Sequence, residues 1–186
     1  MRISPICEAA PTEVLDETQQ AVYDALARLQ IPFQRVSHDH ADTMEDCLAV
    51  GQVLGVPVCK NLVLCNRQKT RYYLLLMPGD KPFFTRDLSQ QIGSSRLSFA
   101  DPGAMEELLH VVPGSASVLA LLFDTEHRVK LVVDEELRKV PLFACHPCNS
   151  GSTLRLRTED VFQRLLPYTG HTPQFVELPR YPVTEW

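Results

Sequence analysis

Apolar positions along the chain change between helical spacing and strand-like alternation several times, beginning near residue 16. Residues 16–19 (Asp-Glu-Thr-Gln) form a capping-box sequence, after which apolar residues recur every three or four positions up to Ile31-Pro32. Residues 33–38 alternate as in a half-buried strand, and residues 43–46 can cap a second helix that ends at residues 55–57. The first part of the chain therefore predicts a helix, a strand and a second helix.

Two strand patterns, at residues 59–65 and 72–77, flank the polar residues 66–70, which predicts a β-hairpin with a basic tip. The apolar run at residues 118–123 does not distinguish a helix from a strand. The rest of the pattern predicts short helices at 87–92 and 102–110, strands at 129–133, 142–145, 153–156 and 175–178, and a last long helix from residue 158.

This order of elements predicts an α+β fold. Helices and strands are interspersed, but several strand connections are short hairpins, which require antiparallel pairing and make a purely parallel sheet improbable. We therefore expect a mixed, mostly antiparallel sheet that closes toward a barrel and is surrounded by helices. Because 186 residues suffice for one sizeable core and no repeat or linker divides them, residues 1–186 are expected to form a single domain.

The composition is that of a soluble globular protein, with 45% hydrophobic and 22% charged residues. No apolar run reaches the roughly 20 residues of a membrane-spanning helix, and the first residues lack the pattern of a signal peptide. We therefore expect a cytoplasmic protein without a membrane partner. The 6 cysteines are scattered through apolar segments, which favours reduced thiols over a disulfide framework.

The formal net charge of -5 provides no general attraction to nucleic acid, so a DNA partner is not expected. Contact with the phosphates of an RNA would need a local basic patch. Arg67, Lys69 and Arg71, at the tip of the predicted hairpin, supply one.

Lys60-Asn61 interrupts an otherwise apolar strand pattern that runs from Val56 to Cys65. Placing an ammonium on a buried strand costs several kcal/mol unless the charge is paired or used, so this lysine suggests an anionic partner at the floor of a site. The alternative is a lysine whose stem packs while its ammonium reaches water.

Cys145-His146-Pro147-Cys148 has the spacing of a dithiol redox motif. Such a pair needs a helix N-terminus to stabilise the first thiolate, but a turn and a strand pattern follow it here. A zinc site is similarly disfavoured, because structural sites usually need a second matched pair of ligands. The role of the two cysteines stays open.

His38 and His40 lie close to Asp39 and Asp42, a composition that resembles a metal site. All four residues fall between a predicted strand and a predicted helix. A solvated loop with some capping is the favoured interpretation, and no metal ligand is assigned.

The polar insertions at Lys60-Asn61, at residues 113–115 (Pro-Gly-Ser) and at residues 146–149 (His-Pro-Cys-Asn) occur in the order seen in a known family. From about Ala21 to Leu178 the chain resembles the YbaK/ProX family of aminoacyl-tRNA editing domains. Its ending, residues 168–179, is similar to the freestanding ProX/PrdX branch, which removes alanine from proline tRNA.

The resemblance implies a barrel-like mixed sheet surrounded by helices and a trans-acting deacylase that hydrolyses the ester of mischarged proline tRNA, most simply one carrying alanine. Cysteine, serine or threonine esters are alternative substrates, and a catalytically idle module that binds tRNA or a synthetase is the alternative function. Mischarged tRNA is the expected partner, with prolyl-tRNA synthetase or an elongation factor as a further one. No cofactor or metal is implied.

Lys60 matches the essential lysine of the family and is expected to hold the terminal phosphate or the developing negative charge. The backbone at Gly114 is expected to donate to the oxyanion, and His146 to line the pocket or relay a proton. Substrate-binding roles are expected for Asn61, Ser115, Ser117, Val118 and Asn149. Val118 stands where relatives commonly carry a proline, and changing one side chain of this loop can retune the shape of the pocket and the amino acid removed.

Overall fold

The computed structural model describes residues 1–41 and 43–181, so Asp42 lies outside the described residues. Among these residues, no helix combines the length and the apolar content that crossing a bilayer requires. The helical elements are α1 (Glu17–Arg28), α2 (Met44–Leu54), α3 (Thr85–Gln91), α4 (Pro102–Leu109), a 3₁₀ helix (Val118–Leu122), α5 (Glu135–Arg138), α6 (Thr158–Asp160), a π-helical segment (Val161–Leu165) and α7 (Leu166–Thr169).

The strands form two sheets. The strands are β1 (Phe33–Ser37), β2 (Lys60–Asn66), β3 (Tyr72–Met77), β4 (Leu97–Phe99), β5 (Val129–Asp134), β6 (Leu142–Cys145), β7 (Ser152–Arg157) and β8 (Gln174–Val176). In the three-stranded sheet, the order is β1-β7-β6 and all pairs are antiparallel. In the five-stranded sheet, the order is β4-β2-β3-β5-β8, with antiparallel pairs from β4 to β3 and parallel pairs from β3 to β8.

The predicted α+β class and mixed sheet are confirmed, but the expected closure toward a barrel is wrong. The edge strands β4 and β8 have only 3 residues each, which leaves little backbone with which to close the five-stranded sheet. Between the two sheets, the described residues form one isolated parallel bridge, from Val58 to Ala144. Pro57 precedes Val58 and has no N–H with which to extend this ladder.

The local signals at the starts of the first two helices are confirmed. The Asp16 carboxylate accepts a hydrogen bond from the backbone N–H of Gln19 at 2.7 Å and caps α1. Thr43 and Asp46 form the reciprocal capping box of α2, with bonds of 3.1 and 3.2 Å. Gly55 ends α2 with φ +68°, a left-handed conformation that glycine adopts without strain.

Three apolar clusters fill the spaces around the sheets. The main core lies between one face of each sheet and also includes residues of α1, α4 and the 3₁₀ helix. A second cluster packs the other face of the five-stranded sheet against α3. A third packs the other face of the three-stranded sheet against α2 and includes Val58 and Ala144. The junction between the two sheets is therefore covered on its outer side by α2 and α3.

Candidate active site

The bridge between Val58 and Ala144 brings two predicted site segments together. Cys59 donates its backbone N–H to the Ala144 carbonyl at 2.9 Å, and the bridge is parallel. Lys60 lies two residues beyond Val58, and His146 lies two residues beyond Ala144. Because side chains alternate between the faces of a strand, Lys60 lies on the face of Val58 and His146 continues from β6 toward the face of Ala144.

This shared face is the outer one, away from the main core. Val58 and Ala144 both belong to the cluster under α2, and Leu62 packs against the cluster under α3. Lys60 lies between Val58 and Leu62 in the alternation of the strand, so its side chain starts where the two outer clusters meet. The residue is half-buried.

Two glycines allow the surrounding backbone to approach this point closely. A Cβ at Gly79 would lie 2.0 Å from the Val58 carbonyl oxygen, and one at Gly51 would lie 2.9 Å from the Val56 carbonyl oxygen. The turn after β3 and the middle of α2 therefore both pack directly against residues 56–58. Glycine is required at Gly79, since any side chain would push the turn away.

The ammonium of Lys60 contacts this turn. Its Nζ donates a hydrogen bond of 2.6 Å to the backbone carbonyl oxygen of Lys81. Burial lowers the pKa of Lys60 from its usual value, and the nearby negative charge of Asp80 partly opposes this shift. The ammonium is therefore held by a neutral carbonyl, with one carboxylate in its neighbourhood.

A buried ion pair stands directly beside this contact. Lys81 is 1% exposed, and its Nζ lies 2.7 Å from a carboxylate oxygen of Asp134, whose side chain is also 1% exposed. The same Nζ lies 2.9 Å from an oxygen of Glu136. Hydrogen bonds from Arg180 and Lys81 lower the pKa of Glu136 to about 2.

Arg180 extends this network from the segment after β8. Its guanidinium lies 2.6 Å from Glu136 and 3.0 Å from Asp80. The hydrogen bond from Arg180 lowers the pKa of Asp80, the carboxylate whose negative charge acts on Lys60. Arg180 therefore binds two carboxylates near Lys81, those of Asp80 and Glu136.

His146 belongs to a hydrogen-bonded chain of three side chains. Its Nδ1 lies 2.8 Å from the Ser152 carbonyl oxygen and 3.2 Å from the Thr153 hydroxyl. The Thr153 hydroxyl lies 2.8 Å from Nε2 of His38, whose Nδ1 lies 2.7 Å from the Asp39 carbonyl oxygen. Carbonyl oxygens only accept, so both imidazoles carry their proton on Nδ1, and Thr153 donates to His38.

This tautomer leaves Nε2 of His146 with a lone pair. Burial lowers the pKa of His146, the bond to the Ser152 carbonyl opposes the shift, and the proximity of His38 adds to it. Burial also lowers the pKa of His38. Both rings are therefore neutral near pH 7. Among the described residues, Nε2 of His146 has no hydrogen-bond partner, so it can accept a proton from a bound molecule.

Asn61 lies on the opposite face of β2 from Lys60. Its Nδ2 lies 3.4 Å from the carbonyl oxygen and 3.4 Å from the sulfur of Cys59, which faces the main core. Its Oδ1 is buried without a hydrogen-bond partner in the described structure. The structure therefore separates the two adjacent residues and leaves the Asn61 oxygen able to accept a bond.

The glycine loop lies on this inner side. Gly114 is exposed with φ +87°, a conformation that favours glycine. The Ser115 hydroxyl bonds to both backbone groups of Val112, at 3.0 and 2.9 Å, and so closes the turn. Ser117 caps the 3₁₀ helix through the N–H of Leu119.

Val118, the position of the family departure, is 1% exposed and packs in the main core. The Ser117 hydroxyl opposes the rise in the pKa of Cys145, so the glycine loop lies near the residue before His146. Asn149 accepts a bond of 2.7 Å from the N–H of Gly151 and shapes the turn after His146.

Cys145 and Cys148 are buried and unbridged. Burial raises the pKa of Cys145 to about 12 and also raises the pKa of Cys148. Their surroundings therefore keep both thiols protonated, the reverse of what a redox dithiol needs.

The basic residues of the hairpin lie at the far end of β2. Strand β2 has 7 residues from Lys60 to Asn66, so its ends are roughly 20 Å apart. Lys69 forms an exposed salt bridge of 3.3 Å to Asp101. Arg67 and Arg96 line a surface cleft of about 450 Å³ with Thr85 and Ser98.

A second cavity opens on the outer face, at Val58 and the turn of Gly79. It has a volume of about 330 Å³ and lies between α2 and residues 79–80, with residues 56–58 as its floor. Its lining is mostly apolar and includes Cys47, Leu48 and the carboxylate-bearing Asp80. A small apolar side chain fits such a groove, and Asp80, whose charge acts on Lys60, is part of its lining.

The sequence patterns predict no site role for Lys81, Asp134, His38 or Thr153. Asp134 stands at the end of an apolar strand pattern, the same signal that selected Lys60, and could have been found by it. Lys81 follows a Pro-Gly turn, where a lysine is ordinarily exposed. His38 was assigned to a solvated loop, but it is half-buried and bonded to Thr153 across the three-stranded sheet.

The segment that carries the predicted site residues is similar in sequence to known proteins. A family described as the aminoacyl-tRNA editing domain matches residues 38–163. The prolyl-tRNA editing protein ProX of Acetoanaerobium sticklandii is 28% identical over 162 residues, which cover 87% of this chain and 98% of the relative. The prolyl-tRNA synthetase associated domain-containing protein 1 of Bos taurus is 35% identical over 164 residues, covering 84% of this chain and 93% of the relative.

Among solved structures, a crystal structure described as a candidate trans-editing enzyme for prolyl tRNA synthetase superposes with a TM-score of 0.66. The two are 18% identical, and the superposition covers 89% of this chain and 100% of the other. At this identity the comparison establishes a common fold. The matched residues 38–163 include Lys60, Gly114 and His146.

Proposed function

Because the chain belongs to the aminoacyl-tRNA editing domain family, we propose that it is a freestanding deacylase that hydrolyses the ester of mischarged proline tRNA. The observation that supports this proposal is the bridge from Val58 to Ala144, which brings the segments of Lys60 and His146 together beside the groove under α2. An aminoacyl ester is an activated acyl group, so its hydrolysis needs a held substrate, a water and charge stabilisation rather than a strong nucleophile.

Lys60 binds negative charge in this mechanism. Its ammonium contacts a neutral carbonyl in the free protein, so it can add an anionic oxygen of the substrate without breaking an ion pair. Either the terminal phosphate or the oxyanion of the tetrahedral intermediate fits this role. Burial strengthens the interaction, because less water screens the charge.

In this mechanism His146 accepts a proton from the attacking water and then donates it to the leaving oxygen. Its Nε2 lone pair takes a proton from the attacking water as the water oxygen bonds to the ester carbon. Collapse of the intermediate breaks the bond from the ester carbon to the ribose oxygen, and the proton passes from His146 to that oxygen. The neighbouring ribose hydroxyl assists the water, and no metal is needed.

The glycine loop and Asn61 lie on the inner side of the sheet, opposite the face of Lys60, so neither is assigned a contact with the ester held at Lys60. Asn149, Ser115 and Ser117 act through the shape of the turns that they close.

We assign alanine as the amino acid removed, with the groove under α2 as its pocket. The groove is mostly apolar and reaches Val58, two residues before Lys60, which suits a methyl side chain. Val118 stands where relatives commonly carry a proline and packs in the core, so cysteine, serine and threonine esters belong in the test.

The tRNA extends from Lys60 toward Arg67, Lys69 and Arg71. Residues at the two ends of β2 are roughly 20 Å apart, a distance that several nucleotides of an acceptor stem span. Arg67 and Arg71 form no salt bridge among the described residues, whereas Lys69 is paired with Asp101. With a net charge of -5, the protein binds tRNA weakly, and a synthetase or an elongation factor would supply further contacts.

A panel of charged tRNAs tests the proposal. Alanyl-, cysteinyl-, seryl-, threonyl- and prolyl-tRNA(Pro) are incubated with the protein, and loss of the ester is followed over time. We expect the alanyl ester to be lost first and the prolyl ester to persist. Unchanged half-lives for every substrate would reject the deacylase and favour a module that binds tRNA or a synthetase.

Lys60→Ala gives the matched comparison for the site. We expect this variant to fold with an unchanged thermal midpoint and to lose ester hydrolysis, because the half-buried ammonium is removed. Lys130→Met, at an exposed position of β5, is the control and should retain full activity. Full activity in Lys60→Ala would remove the site assignment.

A further inference from the structure

Lys81 and Asp134 form an ion pair that stability alone does not explain. Both side chains are 1% exposed, and their charged atoms are 2.7 Å apart. Taking two charges out of water costs about as much as their attraction returns, so an apolar pair of similar volume is often equally stable. A buried pair of this kind calls for another role.

The pair is adjacent to Lys60 across the sheet. Lys60 pairs with Met77, and the parallel register of β3 and β5 matches Leu76 with Val133, which places Met77 beside Asp134. Lys60, Met77 and Asp134 therefore form one row on the outer face. Lys81 lies above this row, and its own carbonyl oxygen accepts the 2.6 Å bond from Lys60.

We infer that Lys81 and Arg180 are positioning residues for Lys60, a role that rests on the proposed function. Lys81, clamped by Asp134 and Glu136, fixes the carbonyl that directs the Lys60 ammonium. Arg180 holds Asp80 through two bonds, of 3.0 and 3.3 Å, and so keeps this carboxylate from pairing with Lys60.

The two contacts act in a complementary way. A neutral carbonyl orients the ammonium without cancelling its charge, whereas a bound carboxylate would cancel it and compete with the anionic substrate. Because Asp80 is the negative group that acts on Lys60, its capture by Arg180 leaves the charge of Lys60 available. The segment after β8 thereby contributes to the site although it lies outside residues 38–163.

The test of Lys81 is the double variant Lys81→Met and Asp134→Asn. The methionine keeps the stem volume, and the asparagine oxygen keeps the bond to the N–H of Glu136 that starts α5. We expect a folded protein in which kcat falls roughly 10- to 100-fold while KM changes less than twofold, because misplacing a catalytic group acts on the chemical step. Lys130→Met is the control and should match the parent protein.

A second measurement is independent of catalysis. The rate at which an amine-reactive ester labels Lys60 is followed by mass spectrometry from pH 6 to pH 11, which gives the titration midpoint of this amine. We expect the double variant to shift that midpoint upward, toward the value of an ordinary lysine, since the buried position is lost. A folded double variant with unchanged kcat and unchanged labelling of Lys60 overturns the role of Lys81.

If the double variant does not fold, Glu136→Gln tests the same clamp at a partly exposed residue. We expect a two- to fivefold fall in kcat, and an unchanged kcat contradicts the inference. Arg180→Gln tests the other contact. Because Arg180 is 47% exposed, this variant should fold, and release of Asp80 should raise the labelling midpoint of Lys60 and lower kcat at least threefold.

The labelling experiment also separates this inference from the deacylase proposal. If the protein hydrolyses no charged tRNA but the titration midpoint of Lys60 shifts in these variants, the positioning role is supported and the deacylase proposal is rejected. A protein that hydrolyses alanyl-tRNA(Pro) but shows no response to Arg180→Gln loses the role of Arg180.

Discussion

His38 and His146 are linked through one hydroxyl group, that of Thr153, which lies 2.8 Å from Nε2 of His38 and 3.2 Å from Nδ1 of His146. The ring centroids of the two histidines are 6.1 Å apart. The Ser152 carbonyl holds the proton of His146 on Nδ1, and the Thr153 hydroxyl, which donates to His38, accepts from the same Nδ1. This tautomer of His146 leaves Nε2, the atom assigned to proton transfer, unprotonated.

Replacing Thr153 by valine should weaken this link without changing the size of the side chain. We expect a loss of about 1–2 kcal/mol in the free energy of unfolding, because His38 loses a buried hydrogen-bond donor. Deacylation should fall about tenfold as the orientation of His146 relaxes. Chemical denaturation and single-turnover hydrolysis measure the two effects, and a stable variant with full activity would show that the link is only structural.

Two substitutions at His146 separate its two ring nitrogens. Asparagine places an amide N–H near the position of Nδ1 and can keep the bond to Ser152, whereas glutamine reaches toward the position of Nε2 but cannot act as a base. We expect both variants to lose 10²- to 10⁴-fold in kcat if Nε2 transfers the proton.

Only the glutamine variant should also lose stability, since it gives up the Ser152 bond. His40→Asn, at an exposed loop position, is the control and should retain activity. Activity within threefold of the parent in His146→Asn would assign the histidine a structural role.

The pH dependence of hydrolysis follows from the two shifted groups. Burial lowers the pKa of His146, so the imidazole becomes protonated, and the rate falls, only below the usual histidine range. Burial also lowers the pKa of Lys60, so its charge is lost, and the rate falls, at a lower pH than for an ordinary lysine. A bell-shaped profile of kcat/KM with a plateau that includes pH 7 is expected.

The lowered pKa of His146 also makes the free energy of unfolding depend on pH. Below the unfolded pKa of about 6.5, the unfolded chain binds a proton at His146 that the folded protein does not bind, so stability falls as the pH decreases toward the folded pKa. Unfolding measured between pH 5 and pH 7.5 should show a weaker dependence in His146→Asn, with the remainder coming from His38, whose pKa burial also lowers. An identical pH dependence in parent and variant would contradict the lowered pKa.

Gly79→Ala should displace the turn that carries the Lys81 carbonyl. Its Cβ would lie 2.0 Å from the backbone oxygen of Val58, a contact that cannot be relieved by turning a side chain. We expect a loss of about 2–4 kcal/mol in the free energy of unfolding and reduced hydrolysis.

Gly103→Ala, where the nearest atom belongs to the side chain of Asp101, is the control and should change stability by less than about 1 kcal/mol. Thermal unfolding of both variants gives the comparison. Equal effects at the two glycines would contradict the close contact at Gly79.

Arg67→Ala should weaken tRNA binding without changing the chemistry at Lys60, because the two residues lie at opposite ends of β2. The slope of binding affinity against salt concentration should fall by about one charge contact. Arg28→Ala, on the exposed end of α1, is the control. Equal affinities and salt slopes for the two variants would exclude the hairpin tip from the RNA interface.

The sequence predicts local structure best where a short-range signal decides it. The cap at Asp16 and the capping box of Thr43 and Asp46 follow from neighbours within three residues, and both are present. The barrel was predicted wrongly because closure depends on the edges β4 and β8, whose shortness reflects packing that no local pattern records.

The residues of the candidate site were likewise predictable where a local signal marked them and not where long-range packing decided their contacts. Lys60 was selected because a charge in an apolar strand is a strong signal, and His146 because of its motif. The partner of Lys60 is a backbone carbonyl, which every residue carries, so no residue type reveals it. Lys81 and Asp134 come from separate elements, and only the register of β3 with β5 brings Asp134 to the row of Lys60.

Lys60 and Asn61 occupy opposite faces of one strand, and the register of β2 against β3 decides which face each one takes. A slip of β2 by one residue against β3 would point the amide outward and the ammonium into the main core. The pairing of Lys60 with Met77 therefore decides which of the two neighbours faces the groove side of the sheet.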